Sequence, residues 1–324
     1  MRSRGLLALG AAPLVVAAVV GAGPSAAGLP GGTGTTPTPV ATASPGPSAS
    51  PSPTPAATTT PELPGGGRVL FPGHRLVALY GHPGAASLGV LGEQGVAASV
   101  ERAQRVARPY RRLSVVPVVP AFEIIATVAQ RSRGGDGDYS GESSVRALRP
   151  WVEAAGRAGM LVVLDLQPGR ADLLDQAQRY RSLLRLSYVG LAVDPEWKLQ
   201  PGQKPLGQIG SIDASEINRT SAWLAALVHA EGLPQKLFVV HQFRLSMIGR
   251  EHLLRTDQPE LAVLVHMDGQ GGSAQKEATW DAVRRARPEG TRLGWKNFYD
   301  EDHPTYTPKQ TMRRHPAPVM ISYQ

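Results

Sequence analysis

Acidic residues and histidines follow directly on several apolar runs of this sequence. Asp194 and Glu196 stand two residues apart after one such run, and His266 and Asp268 have the same spacing at the end of another. Residues two apart on an extended chain point to the same side, so each pair is expected to aim at one place. Neighbouring carboxyl groups raise each other's proton affinity, so one remains an acid near neutral pH while the other stays charged. Glycoside hydrolysis needs this division, and we predict Glu196 as the general acid and Asp194 as the assisting carboxylate.

Other polar residues at comparable positions form the predicted binding set. Glu123 lies in the apolar stretch PAFEIIATVA, so burial should raise its pKa; it is either a second catalytic carboxyl or a core carboxylate paired with Arg or Lys. Lys296 stands in GWKNFYDED, where the acids favour a charged, substrate-binding or salt-bridged lysine over a Schiff-base nucleophile. The predicted substrate-binding residues are Glu123, Asp165, Gln167, Trp197, His241, His266, Asp268, Lys296, Asn297 and Tyr299.

Eight apolar, β-branched runs of strand length position these residues. They are Leu76–Tyr80, Val115–Phe122, Leu161–Leu166, Val189–Val193, Leu237–His241, Leu261–Met267, Arg292–Asn297 and Val319–Tyr323. The amphipathic stretches between them include Ser143–Ala158, Ala171–Leu184, Asp213–Ala230 and Ser273–Arg287. Asp213 and Glu216 at the start of the third stretch have the spacing of a helix capping box. This alternation predicts a parallel sheet, and eight units in about 250 residues are the size of an α/β fold of the (β/α)8 TIM-barrel type.

An open, doubly wound sheet is the alternative fold. It requires a phosphate-binding glycine fingerprint after the first strand, and GHPGAASLG is a poor match. In a TIM barrel the active site lies at the C-terminal ends of the strands, where the polar residues gather. We therefore expect Glu123, Asp165 and Glu196 within roughly 10 Å of one another, because neighbouring strands are about 4.8 Å apart. His266 and Asp268 should face them across the barrel mouth.

The segment YVGLAVDPEW, residues 188–197, carries a family resemblance. It resembles the fourth-strand signature of family-eighteen chitinases, in which a glycine, an apolar strand and an Asp-x-Glu ending recur. The same ending is similar to that of secreted muramidases of the Chalaropsis type. The resemblance implies a barrel glycosidase in which Glu196 is the acid and Asp194 supports the substrate's own acetamido group as the nucleophile.

Two departures from these patterns keep other functions open. Val189 and Ala192 stand where the chitinase pattern has two further aspartates, so the alternative is a glycan-binding or cell-wall-binding barrel without catalysis. A third interpretation is a metal-dependent hydrolase that uses His241 and His266 as ligands. Strand one offers His82 alone instead of the expected His-x-His pair, and we expect neither a metal nor a cofactor. The absence of cysteine excludes thiolate zinc sites, iron–sulfur clusters and a cysteine nucleophile.

The N-terminal part of the sequence predicts export. Residues 1–27 have an arginine-bearing start, an apolar run and then small residues, which is the layout of a secretory signal peptide; an uncleaved membrane anchor is the alternative. Residues 28–67 are nearly all Pro, Thr, Ser, Ala and Gly, and are predicted to form a disordered linker. The barrel is expected over residues 68–324, as a monomer located outside the cell or associated with its wall.

The net charge of +8 indicates which partners the surface favours. Many of the basic residues fall on predicted outer helices, where a solvated face is their usual role, although such a surface also favours anionic wall polymers. An aromatic content of 6% and the lack of a block of like charges argue against nucleic-acid binding. The expected partner is a polysaccharide or cell-wall glycan, with membrane contact only if the N-terminal segment is uncleaved.

The Gly134–Gly141 loop, with Asp136 and Asp138, is either a calcium site or a mobile lid.

Overall fold

The computed structural model describes residues 60–324. The predicted signal peptide, residues 1–27, and residues 28–59 of the predicted linker lie outside the described residues. Within residues 60–324 there is no helix with both the length and the apolar character needed to cross a membrane. Leu63 is buried and packs with Leu70 and Phe71 beside the N-terminal ends of the strands. The chain is therefore packed against the main body from Leu63 onward.

Eight parallel strands form a closed barrel. The strands of residues 60–324 are β1 (Arg75–Gly81), β2 (Val118–Ala129), β3 (Ser140–Glu142), β4 (Leu161–Leu166), β5 (Val189–Val193), β6 (Ile212–Asp213), β7 (Lys236–Gln242), β8 (Ile248–Gly249), β9 (Leu261–Met267), β10 (Arg292–Asn297) and β11 (Met320–Tyr323). The barrel order is β1, β2, β4, β5, β7, β9, β10 and β11, and β1 pairs with both β2 and β11 to close the ring. The predicted (β/α)8 TIM-type fold is thereby confirmed.

Helices cover the outside of the barrel. They are α1 (Val96–Ala107), α2 (Val145–Arg157), α3 (Leu173–Arg179), α4 (Arg181–Leu184), α5 (Ala214–Ala230), α6 (Ser273–Ala286) and α7 (Pro308–Thr311). In α2 the buried residues Leu148, Val152 and Ala155 recur every three or four positions, which gives the helix one apolar face. Ser144 starts this helix by accepting a hydrogen bond from the amide of Ala147. Faces of this kind pack on the outer surface of the strands and form the larger apolar core.

Four of the predicted strands coincide with β4, β5, β9 and β10 to the residue. The largest difference is β2, which was predicted to end at Phe122 and runs on to Ala129. Its last residues leave the barrel wall and pair antiparallel with β3. Glu123 therefore lies within a strand instead of after one, level with Tyr80 on β1. This extension and the loop to β3, residues 130–139, are called the arm below.

The start of α5 differs from its prediction. Asp213 does cap the helix, since its side chain accepts the amide hydrogen of Ser215 at 2.9 Å. The capping box predicted with Glu216 is wrong, because that carboxylate turns elsewhere. It accepts the backbone amide of Leu173 at 3.1 Å and the ammonium of Lys198 at 2.5 Å. Glu216 thus ties α5 to α3 and to the segment that follows β5.

The barrel interior has two layers of different chemistry. The lower half, toward the N-terminal ends of the strands, is filled by apolar side chains, namely Leu76, Ala78, Val119, Ala121, Leu161, Val163, Ala192, Leu237, Val239, Ala262, Leu264 and Met320. Alternate residues of a strand face the same side, so this pattern continues upward from Ala78 to Tyr80 and from Val239 to His241. An apolar floor therefore lies directly beneath a polar upper half.

Candidate functional site

All eight barrel strands contribute a polar side chain to the upper half of the interior. The contributing residues are Tyr80, Glu123, Asp165, Asp194, His241, His266, Asp268, Lys296 and Ser322, with Asp194 and Asp268 directly following β5 and β9. None of them is more than 7% exposed. These nine residues are called the polar cluster below. The sequence predicts that polar residues gather at the C-terminal ends of the strands. Seven of the predicted site residues do lie in this cluster.

His241 is surrounded by three carboxylates. Its Nδ1 lies 3.0 Å from Oδ2 of Asp268, and its Nε2 lies 3.1 Å from Oε1 of Glu123 and 3.8 Å from Oδ1 of Asp165. Burial alone would lower the pKa of His241, but the charges of Glu123 and Asp165 raise it well above the usual value. The ring therefore favours the imidazolium form at neutral pH.

The imidazolium sets the protonation of the two nearest acids. Burial raises the pKa of Glu123, but the attraction of His241 outweighs burial, and the net pKa is lowered. The sequence-based expectation of a raised pKa for this residue is therefore wrong. The pKa of Asp268 is also lowered despite its burial, because the carboxylate is hydrogen-bonded to His241. Glu123 and Asp268 thus carry negative charge deep in the barrel.

Tyr80 joins Asp165 to Lys296. Its hydroxyl donates to Oδ2 of Asp165 at 2.9 Å, and the Lys296 ammonium lies 3.4 Å from the centre of its ring, a cation–π contact. Burial, followed by the negative charge of Asp165, raises the pKa of Tyr80 well above its usual value, so the phenol remains a donor. Burial also raises the pKa of Asp165. The side chain of Lys296 is thus packed against Tyr80 within the cluster.

Asp194 and Glu196 both favour the protonated state. Burial and then the charge of Glu196 raise the pKa of Asp194 well above its usual value. Burial and then the charge of Asp268 raise the pKa of Glu196 to about 8. The sequence predicted one protonated and one charged member of this pair. In the structure the charged neighbour is instead Asp268, while Asp194 is a second neutral carboxylic acid.

His266 is a neutral counterpart to His241. Burial lowers its pKa to about 3, and its Nε2 lies 2.7 Å from the hydroxyl of Ser322. The ring fits only because residue 294 is a glycine: a Cβ atom there would lie 2.0 Å from Nδ1 of His266. The two histidines therefore differ in protonation state, with His241 charged and His266 neutral, although their ring centres are only 5.3 Å apart.

A pocket of about 320 Å³, open solvent included, lies at the mouth of the barrel beside Glu196. Its lining residues are Ala129, Tyr139, Glu196, Trp197, Leu199, Pro205, Leu206, Gln208 and Ile209. Trp197 was predicted from the sequence, and its indole Nε1 is buried without a hydrogen-bond partner among the described residues. The sequence reasoning missed Tyr139 and Gln208, and no sequence signal identifies them, because both lie in irregular segments outside the eight barrel strands.

Three predicted residues have other surroundings. Gln167 is buried at the base of the arm, where its Oε1 accepts the amide of Ala129 at 3.0 Å and its Nε2 lies 3.5 Å from the Tyr80 hydroxyl. Asn297 takes the outer face of β10 and accepts a hydrogen bond from the indole of Trp295. Tyr299 is 42% exposed and stacks on Tyr323, with ring centres 5.4 Å apart. The structure therefore does not bring Asn297 and Tyr299 to the polar cluster.

The donor arrangement bears on the metal hypothesis. Within residues 60–324, the one group of acids or histidines with metal-ligand spacing is Asp136, Asp138 and Glu142 in and beside the arm. His241 and His266 are not part of such a group. Both ring nitrogens of His241 already face carboxylates, so the ring does not offer a free lone pair for a metal.

Comparisons with known proteins give structural similarities at low sequence identity. No family model and no curated protein sequence matches it. One similar solved structure is the N-terminal domain of an aldolase-like protein from Bacteroides vulgatus, with 11% identity and a TM-score of 0.36, covering 77% of this chain and 72% of that chain. Another is Xanthomonas albilineans dihydropteroate synthase with 4-aminobenzoic acid, with 14% identity and a TM-score of 0.35, covering 82% of this chain and 93% of that one. Neither is a glycoside hydrolase.

Proposed function

We propose that this protein is an exported or wall-associated glycoside hydrolase that acts on a polysaccharide, with Glu196 as its general acid. The position of Glu196 carries the proposal. It lines the pocket at the barrel mouth, its charge raises the pKa of Asp194, and the charge of Asp268 raises the pKa of Glu196 itself. Of the residues that line the pocket, it alone has a carboxyl group.

Protonated Glu196 can donate a proton to a glycosidic oxygen held in the pocket. Its pKa of about 8 keeps the proton in place at neutral pH, which suits a general acid. Asp194, also protonated, supplies a second donor beside it. The ionised carboxylates of Glu123 and Asp268 stabilise the positive charge that develops on the sugar ring as the bond breaks.

The test is the variant Glu196→Gln, which keeps the shape of the side chain and removes the acid. We expect release of reducing ends from a panel of polysaccharides to fall by about 100-fold or more. The parent enzyme should lose activity above about pH 8, as Glu196 gives up its proton. Glu153→Gln on the exposed side of α2 is the matched control and should be fully active. Turnover by Glu196→Gln equal to that of the control would refute the acid assignment.

A barrel that binds glycan without cutting it is the second candidate. Ala192, which stands where the chitinase pattern has an aspartate, belongs to the apolar floor, so no carboxylate lies at that level of β5. Such a protein would show saturable glycan binding by calorimetry and no product after long incubation. Product formation that disappears in Glu196→Gln would exclude this candidate.

A further inference from the structure

Two segments enclose the pocket beside Glu196, and both attach to the short stretch Pro168–Arg170 after β4. One segment is the arm, which contributes Tyr139. The other is residues 198–211, which follow Trp197 and contribute Leu206 and Gln208 among others. The end of this second segment returns to the residues that precede it, because the amide of Gly210 donates to the carbonyl of Glu196 at 2.7 Å. The pocket therefore depends on how these two walls are held relative to each other.

Backbone hydrogen bonds fix both walls to this stretch. The amide of Arg170 donates to the carbonyl of Asp138 in the arm at 2.6 Å, and the amide of Leu199 donates to the carbonyl of Gly169 at 2.7 Å. Gly169 has φ +57°, and a Cβ atom on it would lie 2.3 Å from the carbonyl oxygen of Asp138. Only glycine permits this close approach.

The side chain of Arg170 connects the two walls a second time. Its guanidinium lies 4.8 Å from the centre of the Tyr139 ring, and its Nη2 donates to the carbonyl of Gln203 at 2.7 Å. One planar group thus stacks on the aromatic wall while it bonds to the opposite segment. A lysine offers neither the plane nor the fork of donors needed to do both.

The lining of the pocket has a definite chemistry. Apart from Glu196, no charged side chain lines it, and Ala129, Leu199, Pro205, Leu206 and Ile209 are its apolar lining residues. The uncharged polar lining residues are Tyr139, Gln208 and Trp197, and the indole nitrogen of Trp197 is buried without a hydrogen-bond partner among residues 60–324. An anionic ring would lose hydration here without gaining a cation, which is costly, whereas hydroxyl groups can bond to these donors.

We propose that this pocket binds one uncharged sugar ring between the arm and the 198–211 segment, and that Arg170 is the positioning residue that holds the two walls together. This inference rests on the proposed function and specifies its substrate class. Tyr139 and Trp197 supply the aromatic contacts to that ring.

The experiment measures binding in the Glu196→Gln background, where turnover does not interfere. The probes are the hexamers of N-acetylglucosamine, of β-1,4-linked glucose and of galacturonate, titrated by calorimetry. We expect at least one uncharged hexamer to bind and the galacturonate hexamer to bind at least 10-fold more weakly. Tyr139→Ala and Trp197→Phe should each weaken binding by 10-fold or more. Equal binding of galacturonate, binding to none of the three hexamers, or unchanged binding in both variants would overturn the inference.

Arg170 is tested separately in the enzyme that retains Glu196. Arg170→Lys should raise KM several-fold for a hydrolysed glycan and leave kcat and the melting temperature unchanged. Arg185→Lys, a similarly charged surface change at the ion pair with Glu231, is the matched control and should not alter KM. A fall in kcat, or a KM equal to that of the control, would remove Arg170 from this role.

The two proposals fail in distinguishable ways. Specific binding of an uncharged hexamer that needs Tyr139, together with no product from any glycan, would overturn the hydrolase and leave the pocket assignment standing. Product formation that needs Glu196 but is indifferent to Tyr139 and Trp197 would overturn the pocket and leave the hydrolase standing.

Discussion

The lower and upper halves of the barrel interior are built on the same strands and are both buried, but they differ in polarity. Below, packed side chains such as Leu76, Val239 and Leu264 leave no polar atom to satisfy. Above, oxygens of Glu123, Asp194 and several other acids are buried without hydrogen-bond partners among the described residues. Unpartnered buried polar atoms cost stability, whereas apolar burial supplies it. The apolar floor thus stabilises the closed barrel and offsets the cost of the incompletely hydrogen-bonded upper half.

The largest effect is expected from removal of the central charge of the upper half. His241→Ala leaves the carboxylates of Glu123, Asp165 and Asp268 without their shared cation, and should cost about 3–5 kcal/mol of unfolding free energy at pH 7. Urea denaturation measures this loss. His229→Ala, on the exposed end of α5, is the matched control and should change stability by less than about 0.5 kcal/mol.

The same variant has a predicted pH dependence. The raised pKa of His241 means that its contribution is fully present below the usual value of 6.5 and is lost as pH rises through the raised pKa. The lowered pKa values of Glu123 and Asp268 mean that theirs is present above the usual acid range and is lost as pH falls through the lowered values. Over roughly pH 3 to pH 9, the deficit of His241→Ala should therefore be largest between about pH 5 and pH 6.5 and should shrink toward both ends. A deficit that is constant over this range would contradict the charge assignment.

A change in the floor should cost a similar amount without any pH dependence. Leu264→Ala removes a fully buried side chain and should lower the free energy of unfolding by about 3 kcal/mol, through lost transfer energy and the cavity left behind. The loss should be equal at pH 5 and pH 8 in urea titrations. Val115→Ala, at a fully exposed position, serves as the control with almost no effect. A strong pH dependence in Leu264→Ala would show that the two halves are not electrostatically separate.

Lys236 is a buried lysine at the lower end of the barrel, and its loss of a proton on folding can be tested. Its ammonium is buried at the start of β7 and donates to the carbonyls of Leu186 and Val189, each at 2.7 Å. Burial lowers its pKa to about 7, so between pH 7 and the usual 10.5 the unfolded chain binds a proton that the folded chain lacks. The parent should therefore gain about 2 kcal/mol relative to Lys236→Met between pH 7 and pH 9.

Paired thermal melts at both pH values check this gain. Lys204→Met, at an exposed position, should show no such change with pH. If the stability difference between the parent and Lys236→Met is the same at pH 7 and pH 9, the lysine keeps its proton in the folded state.

The smallest effect on stability is expected at Gly294, which makes room for the ring of His266. Gly294→Ala places a methyl group against the His266 ring, which is held by Ser322 and has little room to move, and should cost about 1–2 kcal/mol. A histidine-detected NMR spectrum should show a shift of the His266 signals. Gly135→Ala in the arm, where a Cβ atom meets nothing within 4 Å, is the matched control. Unchanged melting and unchanged spectra would mean that the ring moves aside freely.

The fold could be predicted because its signals are local. Runs of β-branched residues mark buried strands wherever they occur, and β4, β5, β9 and β10 were placed to the residue. The clustering of polar residues at strand ends followed from the known construction of such barrels. The end of β2 was misplaced because its apolar pattern predicts a strand without indicating where the strand leaves the barrel wall.

The site could be predicted only in part, because its chemistry depends on neighbours distant in sequence. Lys296 and Asn297 are adjacent polar residues, and the pattern alone does not indicate which one faces inward. The charge of His241 depends on carboxylates from β2, β4 and the end of β9, which no local pattern reveals. Tyr139 and Arg170 meet only because two loops close over the same edge of the barrel.

Because β2 is long, amide hydrogen exchange along this one strand can report on two different motions. Up to Ile124 its backbone is paired on both sides, with β1 and β4, while Thr127–Ala129 pair with β3 beyond an irregularity in the register after Ile125. Amides below that point should exchange only when the whole barrel opens, and those above it when the arm alone lifts. A ligand seated under the arm would slow the second set and leave the first unchanged, so a single strand carries its own internal reference for occupancy.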